Sequence, residues 1–297
     1  MPSPIKEPAA LDTLGLIKRL KRNPSEHKGD AGKLLMVGGS PGMLGALVLA
    51  GNAALHLGAG WTILEALDPA ASSAINQHPE LMIKVANDQA AKTLISNNPD
   101  LIAIGPGLGN SLLAHHWVDA CIDFPRTPLV IDADALNLIA DDEALLNRLQ
   151  KRNQRLPGLS VITPHPGEAA RLLKQSAEQV QGNRLESINR LVELTGSIVI
   201  LKGHHTLIQS PEHQCLQCNQ GNPGMGTGGM GDVLTGSIAA LATQGIRHHL
   251  DLWSAAGIAV QLHAEAADSL VRSGIGPIGL TPSETILEMR KLLNNLT

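Results

Sequence analysis

Residues 221–245, GNPGMGTGGMGDVLTGSIAALATQG, crowd glycines into a loop that runs straight into an apolar stretch with helical spacing. Glycines let successive backbone N–H groups turn toward one point, and a helix start adds roughly half a positive charge, so the segment suits an anion. No Lys follows the last glycine, and the loop does not follow the first strand, which separates it from the Walker A loop and the dinucleotide fingerprint. Asp232 sits at the mouth of this cradle. As a first-turn carboxylate it would gain about 0.3–1 kcal/mol from the helix dipole. Beside a phosphoryl group in transit it can instead accept the proton of an attacking hydroxyl, and the combination of cradle, acid and helix favours this general base.

Three further segments could serve the same chemistry. Lys202-Gly203-His204-His205-Thr206 ends the apolar run SIVILKG, where a cation and a hydroxyl would meet a nucleotide phosphate or ribose, or simply close a strand in a turn. In Thr163-Pro164-His165-Pro166-Gly167-Glu168, Pro166 and Glu168 suit a helix start, which leaves His165 unexplained by capping and free to face a substrate. Gly38-Gly39-Ser40-Pro41-Gly42 and Gly105-Pro106-Gly107-Leu108-Gly109 are turns at two more strand ends, and their convergence on one sheet edge would open a crevice. Asp132 and Asp134 either hold Mg²⁺ through water or cap the next helix with Asn137. Cys215 and Cys218 have metal-ligand spacing, but with no second pair and only His213 nearby they read as small apolar residues. His115, His116, His248 and His249 lack a carboxylate at ligand spacing, and His56 reads as a core or interface histidine.

The frame for these segments is an alternation of strand and helix. KLLMVGG from Lys33, the small-residue helix ALVLAGNAALHLGAG and WTILEAL form a βαβ unit. The alternation continues through LIAIGPG (101–107), a helix near 111–121, PLVIDA (128–133), a helix near 141–149 and SVITPHPG (160–167). Helices near 166–175 and 182–195 lead to SIVILKG (197–203) and to TLIQS (206–210), expected as an antiparallel edge. Three helices near 232–244, 251–270 and 282–293 close the chain. Continuous apolar strands need cover on both faces, so the expected class is α/β: a central, mostly parallel sheet flanked by helices on both faces. One domain over 27–297 follows an N-terminal extension and helix (1–26) that includes LGLIKRLKR.

The 297 residues carry a formal charge of −4 with no long basic block, and the aromatic residues are only Phe124, Trp61, Trp117 and Trp253. Neither phosphate neutralisation nor base stacking would hold a nucleic acid. No apolar run reaches the roughly 18 residues of a membrane span. The start MPSPIKEPAALDTLG lacks a signal-peptide core. A cytoplasmic location is expected, and three cysteines suit a reducing compartment.

HKGDAGKLLMVGGSPGMLGALVLAGNAALHLGAGWT, AIGPGLG, VIDADALNLI, ITPHPGEAARLL, VILKGHHT and NPGMGTGGMGDVLTGSIAAL together resemble, in type and order, the ADP/ATP-dependent NAD(P)H-hydrate dehydratases over about residues 27–270. That resemblance implies a ribokinase-like fold and repair of the S-epimers of the hydrated cofactors NADHX and NADPHX to NADH and NADPH. It implies a nucleotide, ADP more than ATP, as phosphoryl donor with Mg²⁺, phosphorylation of the C6 hydroxyl and loss of phosphate. On the matching motifs, Asp232 is the base and shares the substrate site with Ala46, Gly107 and His165. Lys202, Gly203, His204, His205, Thr206 and Gly231 bind the nucleotide, and Gly228, Gly229 and Gly231 form the phosphate cradle. Met230 stands where Thr is common, which removes a side-chain donor and leaves the backbone cradle. The family also implies a homo-oligomer, often a tetramer. Its bacterial members are often fused to an epimerase that this chain is too short to hold, so a separate epimerase or spontaneous exchange is expected. A small-alcohol kinase of the hydroxyethylthiazole or hydroxymethylpyrimidine type would use the same cradle and base, and a nucleotide-binding module without catalysis is a third reading, disfavoured by the presence of Asp232.

Overall fold

The computed structural model describes residues 7–297, apart from the side chains of residues 75 and 76. The apolar runs LLMV and LIAI, which have no polar alternation, pair in parallel as β2 (Lys33–Gly38) and β5 (Leu101–Ile104), with Leu34 opposite Leu101 and Val37 opposite Ile104. Around them lie β3 (Trp61–Ala66), β4 (Met82–Val85), β6 (Leu129–Ile131), β7 (Ser160–Ile162), β8 (Ile198–Leu201), β9 (Leu207–Ser210), β10 (His213–Gln217) and a short β1 (Ala9–Ala10). Among the described residues they form one sheet of ten strands in the order β1-β10-β9-β8-β7-β6-β5-β2-β3-β4. The seven strands from β4 to β8 are parallel, and β9 is antiparallel to both of its neighbours.

Alternate residues of β2 face two separate cores. Leu34 and Met36 pack under α1 (Leu44–His56), α9 (Met230–His248), α10 (Leu252–Arg272) and α11 (Pro282–Leu296). Leu35 and Val37 pack under the opposite layer, which holds α2 (Ala90–Asn97), α3 (Leu112–Asp123), α4 (Ala133–Asp141), α5 (Glu143–Arg155), α6 (Pro166–Leu173), α7 (Ala177–Gly182) and α8 (Arg184–Thr195). The expected α/β class with helices on both faces is therefore the observed one. Helices α1 and α9 lie side by side and run the same way: Ala50 O meets Gly236 closely, and Leu57 O accepts from Gln244 Nε2 at 2.7 Å near their C-terminal ends.

The chain leaves β2 toward β3 and leaves β5 toward β6, in opposite directions across the sheet. Such a reversal opens a crevice at the carboxyl ends of the two strands. Several details depart from the sequence reading, and β4 and α2 have no counterpart in it. β9 is antiparallel but is not the edge, because β10 and β1 extend the sheet beyond it. α4 starts directly after Asp132, ahead of the single helix expected near 141–149. The stretch at 14–22 forms a 3₁₀ segment, Leu14–Leu20, whose Ile17 and Leu20 are buried in the first core. No helix among the described residues is long and apolar enough to cross a membrane.

Candidate active site

Gly229 begins α9 with φ at 94°, a conformation that favours glycine, and a Cβ there would press on Leu49 at 2.7 Å. No side chain caps this helix, so its first N–H groups and the positive end of its dipole stay available. Asp232 lies in that first turn. Burial, reinforced by the charge of Asp132 and opposed by Lys202, pushes its carboxyl up to about 7, with Asp134 and Glu168 adding to the rise. A carboxylate tuned to that range can both accept and release a proton near neutrality.

Lys202, just past β8, points its ammonium to Asp132 Oδ1 at 2.7 Å and lies 3.8 Å from Glu168 Oε2. Burial alone would lower its pKa, but the charges of Asp132 and Glu168 more than reverse that. Asp132 is 1% exposed, and its other oxygen accepts from Thr235 Oγ1 at 2.6 Å. Burial works against its charge, yet Lys202, Thr235 and Thr163 together hold the carboxyl below its ordinary value. Thr235 is three residues after Asp232 on α9, so this buried cluster pins the helix start to the ends of β6 and β8.

His165 corrects an expectation: capping does explain it. Its Nδ1 accepts from Gly167 N at 2.9 Å, while Glu168 Oε2 accepts from His165 N at 2.7 Å, a reciprocal cap at the start of α6. Because Nδ1 accepts, the proton belongs on Nε2, which lies 3.2 Å from Glu168 Oε1. Glu168 itself is pushed up to about 7, by burial against the pull of Lys202. Asp132 makes no side-chain cap, and Asp134 instead accepts from Gly109 N at 2.9 Å and, weakly, from Asn137 Nδ2 at 3.5 Å.

The two glycine turns meet as expected. Gly39 N donates to Pro106 O at 2.9 Å, and Ser40 N to Gly107 O at 2.6 Å. A Cβ on Gly107 would lie 3.2 Å from the Cβ of Ala46. Ala46 is one turn before Ala50 and Asp232 one turn before Gly236, so the parallel pairing of α1 and α9 places them at the same end of the crevice. On the other side of the α9 start, a cavity of about 450 Å³ is lined by Lys202 through Thr206, Gln220 through Pro223, Met225, Gly226, Met230 and Gly231, and is floored by Leu234, Val260, His263 and Ala264. Gly228 and Gly229 are not in its lining. Cys218 is in the lining and packs in the first core, whereas Cys215 packs in the second. Burial pushes both up to about 11.

Asp268 and His263, both on α10, were not among the residues picked from sequence. Asp268 holds the 221–226 loop through Gly221 N at 2.8 Å and Asn222 Nδ2 at 2.9 Å. Among the described residues, no group of three or more His, Cys, Asp or Glu side chains could hold a metal ion.

A family model described as NAD(P)H-hydrate dehydratase matches residues 34–286, which span both glycine turns, Lys202 and Asp232. The chain belongs to the NAD(P)H-hydrate dehydratase family. One relative is the bifunctional NAD(P)H-hydrate repair enzyme Nnr of Coxiella burnetii, 38% identical over 92% of this chain and 53% of that protein. The chain thus spans about half the length of that member of the family. The ADP-dependent (S)-NAD(P)H-hydrate dehydratase of Neisseria meningitidis is 36% identical over 93% of this chain and 90% of its own. Among solved dehydratase structures, the ADP/ATP-dependent enzyme of Bacillus subtilis, co-crystallised with ATP and Mg²⁺, superposes with a TM-score of 0.81 at 26% identity, covering 98% of this chain and 100% of that one.

Proposed function

We propose that the protein restores NADH and NADPH from the S-epimers of NADHX and NADPHX, with ADP rather than ATP as the preferred phosphoryl donor. The reading rests on Asp232, a half-buried carboxyl tuned to about 7 at an uncapped helix start, between the cavity at Lys202 and the crevice at Ala46 and Gly107. The nucleotide lies along Lys202–Thr206 with its phosphates toward Gly231, and the cradle extends over Gly228 and Gly229. The hydrated nicotinamide lies against Ala46 and Gly107. His165, its Nδ1 engaged in the cap of α6, bounds that site by shape.

Hydroxide is a poor leaving group, so the chemistry begins at oxygen. Ionised Asp232 accepts the C6 hydroxyl proton as that oxygen takes the terminal phosphoryl group, and the α9 N–H groups stabilise the charge in transit. The C6–O bond then breaks, the electron pair leaves with phosphate, and the N1 lone pair forms N1=C6. Loss of a proton from C5 to solvent creates C5=C6 and returns N1 to neutrality. Mg²⁺, bound to the phosphates, would neutralise their charge. The enzyme works in the cytoplasm as a homo-oligomer, and an epimerase supplies the S-epimer.

The test adds purified protein to S-NADHX and Mg²⁺ with ADP, ATP or no nucleotide and follows the near-ultraviolet absorbance of NADH. Growth that requires a nucleotide and is faster with ADP supports the reading. No NADH with either nucleotide, together with phosphorylation of thiazole or pyrimidine alcohols, would replace it with a small-alcohol kinase.

A further inference from the structure

The floor of the nucleotide cavity contains a polar atom that no described residue satisfies. His263 is 5% exposed and lines the cavity beside Leu234, Val260 and Ala264, yet its Nε2 has no hydrogen-bond partner. Buried polar atoms are nearly always paired, and an unpaired one calls for a specific reason. Burial and the charge of Lys202 push this imidazole down to about 4. The ring is therefore neutral near pH 7, with one donor and one acceptor, and is no second cation for phosphates.

The lining combines exposed and buried residues: His204 and His205 are exposed, whereas His263, Leu234 and Val260 are 5%, 5% and 4% exposed. Gly231 and the Lys202 ammonium suit phosphates. A flat heteroaromatic ring fits the buried part of the lining, with apolar walls on its faces and few, well-placed polar groups at its edge. We propose that His263 recognises the nucleobase of the phosphoryl donor, its Nε2 completing a hydrogen bond with the ring edge when the base enters the cavity. The proposal rests on the nucleotide reading above and adds the residue that distinguishes a nucleoside diphosphate from a bare polyphosphate. His263 acts on nucleotide affinity and takes no part in the transfer step.

The experiment measures equilibrium binding of ADP and of inorganic pyrophosphate to the full-length chain, as wild type, His263→Phe and His263→Gln. The expected result is an ADP affinity about tenfold lower or worse in His263→Phe, pyrophosphate affinity within about twofold of wild type, and substantial recovery of ADP binding in His263→Gln. If His263→Phe binds ADP as wild type does, or loses pyrophosphate in parallel, His263 has no base-reading role, although the cavity still binds nucleotide. If wild type itself binds no ADP, the nucleotide reading fails and the proposal with it.

Discussion

At Asp232 the requirements of catalysis and of folding pull apart. The folded chain holds this proton up to about pH 7, against an ordinary carboxyl value of 3.8. Between those two values the folded state binds more proton than the unfolded one, so stability falls as pH rises through that window and the penalty is complete above it. Asp232→Asn removes the penalty and the base together. Turnover should fall by about 10²–10⁴-fold, the usual worth of a general base. Thermal unfolding at pH 8 should show the variant more stable by roughly 1–3 kcal/mol, allowing for partial solvent screening, with the gain shrinking toward pH 4. A loss of turnover without that pH-dependent gain would mean that Asp232 is ordinarily solvated in the folded protein.

At the scale of elements, α9 must lie close to α1 and still leave its first turn open, and glycines do both jobs at different positions. A Cβ on Gly236 would collide with the Ala50 carbonyl, a backbone atom that cannot swing aside, whereas Gly228 has open space around it. Gly236→Ala should lower the urea midpoint by an amount worth about 1–3 kcal/mol, as overpacking does. Gly228→Ala should leave that midpoint nearly unchanged and reduce turnover about tenfold or more, because the added methyl competes for the space of the phosphoryl group. The parallel strands and α9 were legible because continuous apolar runs and helical spacing survive in the sequence without any partner, whereas β10, just before the glycine loop, was not. β4, with Lys84 and Val85 exposed at the sheet margin, gave no such run, and α4 was hidden because it begins without a turn after β6. The site was legible only in part. Glycine loops and Asp232 declare themselves locally, but the Lys202 to Asp132 pair joins residues 70 apart, and His263 looks like any histidine on an apolar helix until its missing partner is seen.

Across the whole molecule, the N-terminal segment closes the core at a distance from the chemistry. Leu11, Ile17 and Leu20 are buried, and Thr13 N donates to Gln261 Oε1 at 2.7 Å. Leu11 N reaches Gln217 O at 2.8 Å, and a Cβ on Gly257 of α10 would touch Thr13. Exposing the apolar surface beneath three such side chains costs on the order of 5–9 kcal/mol at about 1.5–3 kcal/mol each. That is comparable to the roughly 5–15 kcal/mol that holds a typical folded protein together. A chain that begins at residue 22 should therefore unfold at a much lower urea concentration than the full chain. ADP at about 100 times its dissociation constant should return roughly 2.7 kcal/mol, because it binds only the folded form. Asp232 lies at the start of α9, and the segment touches Gly257 and Gln261 of α10, neither of which lines the cavity although Val260, His263 and Ala264 of the same helix do. ADP affinity, measured cold on the fraction that remains folded, should therefore change by less than about threefold. A larger loss in folded protein would show that the first twenty-one residues shape the site as well as supporting the core beneath it.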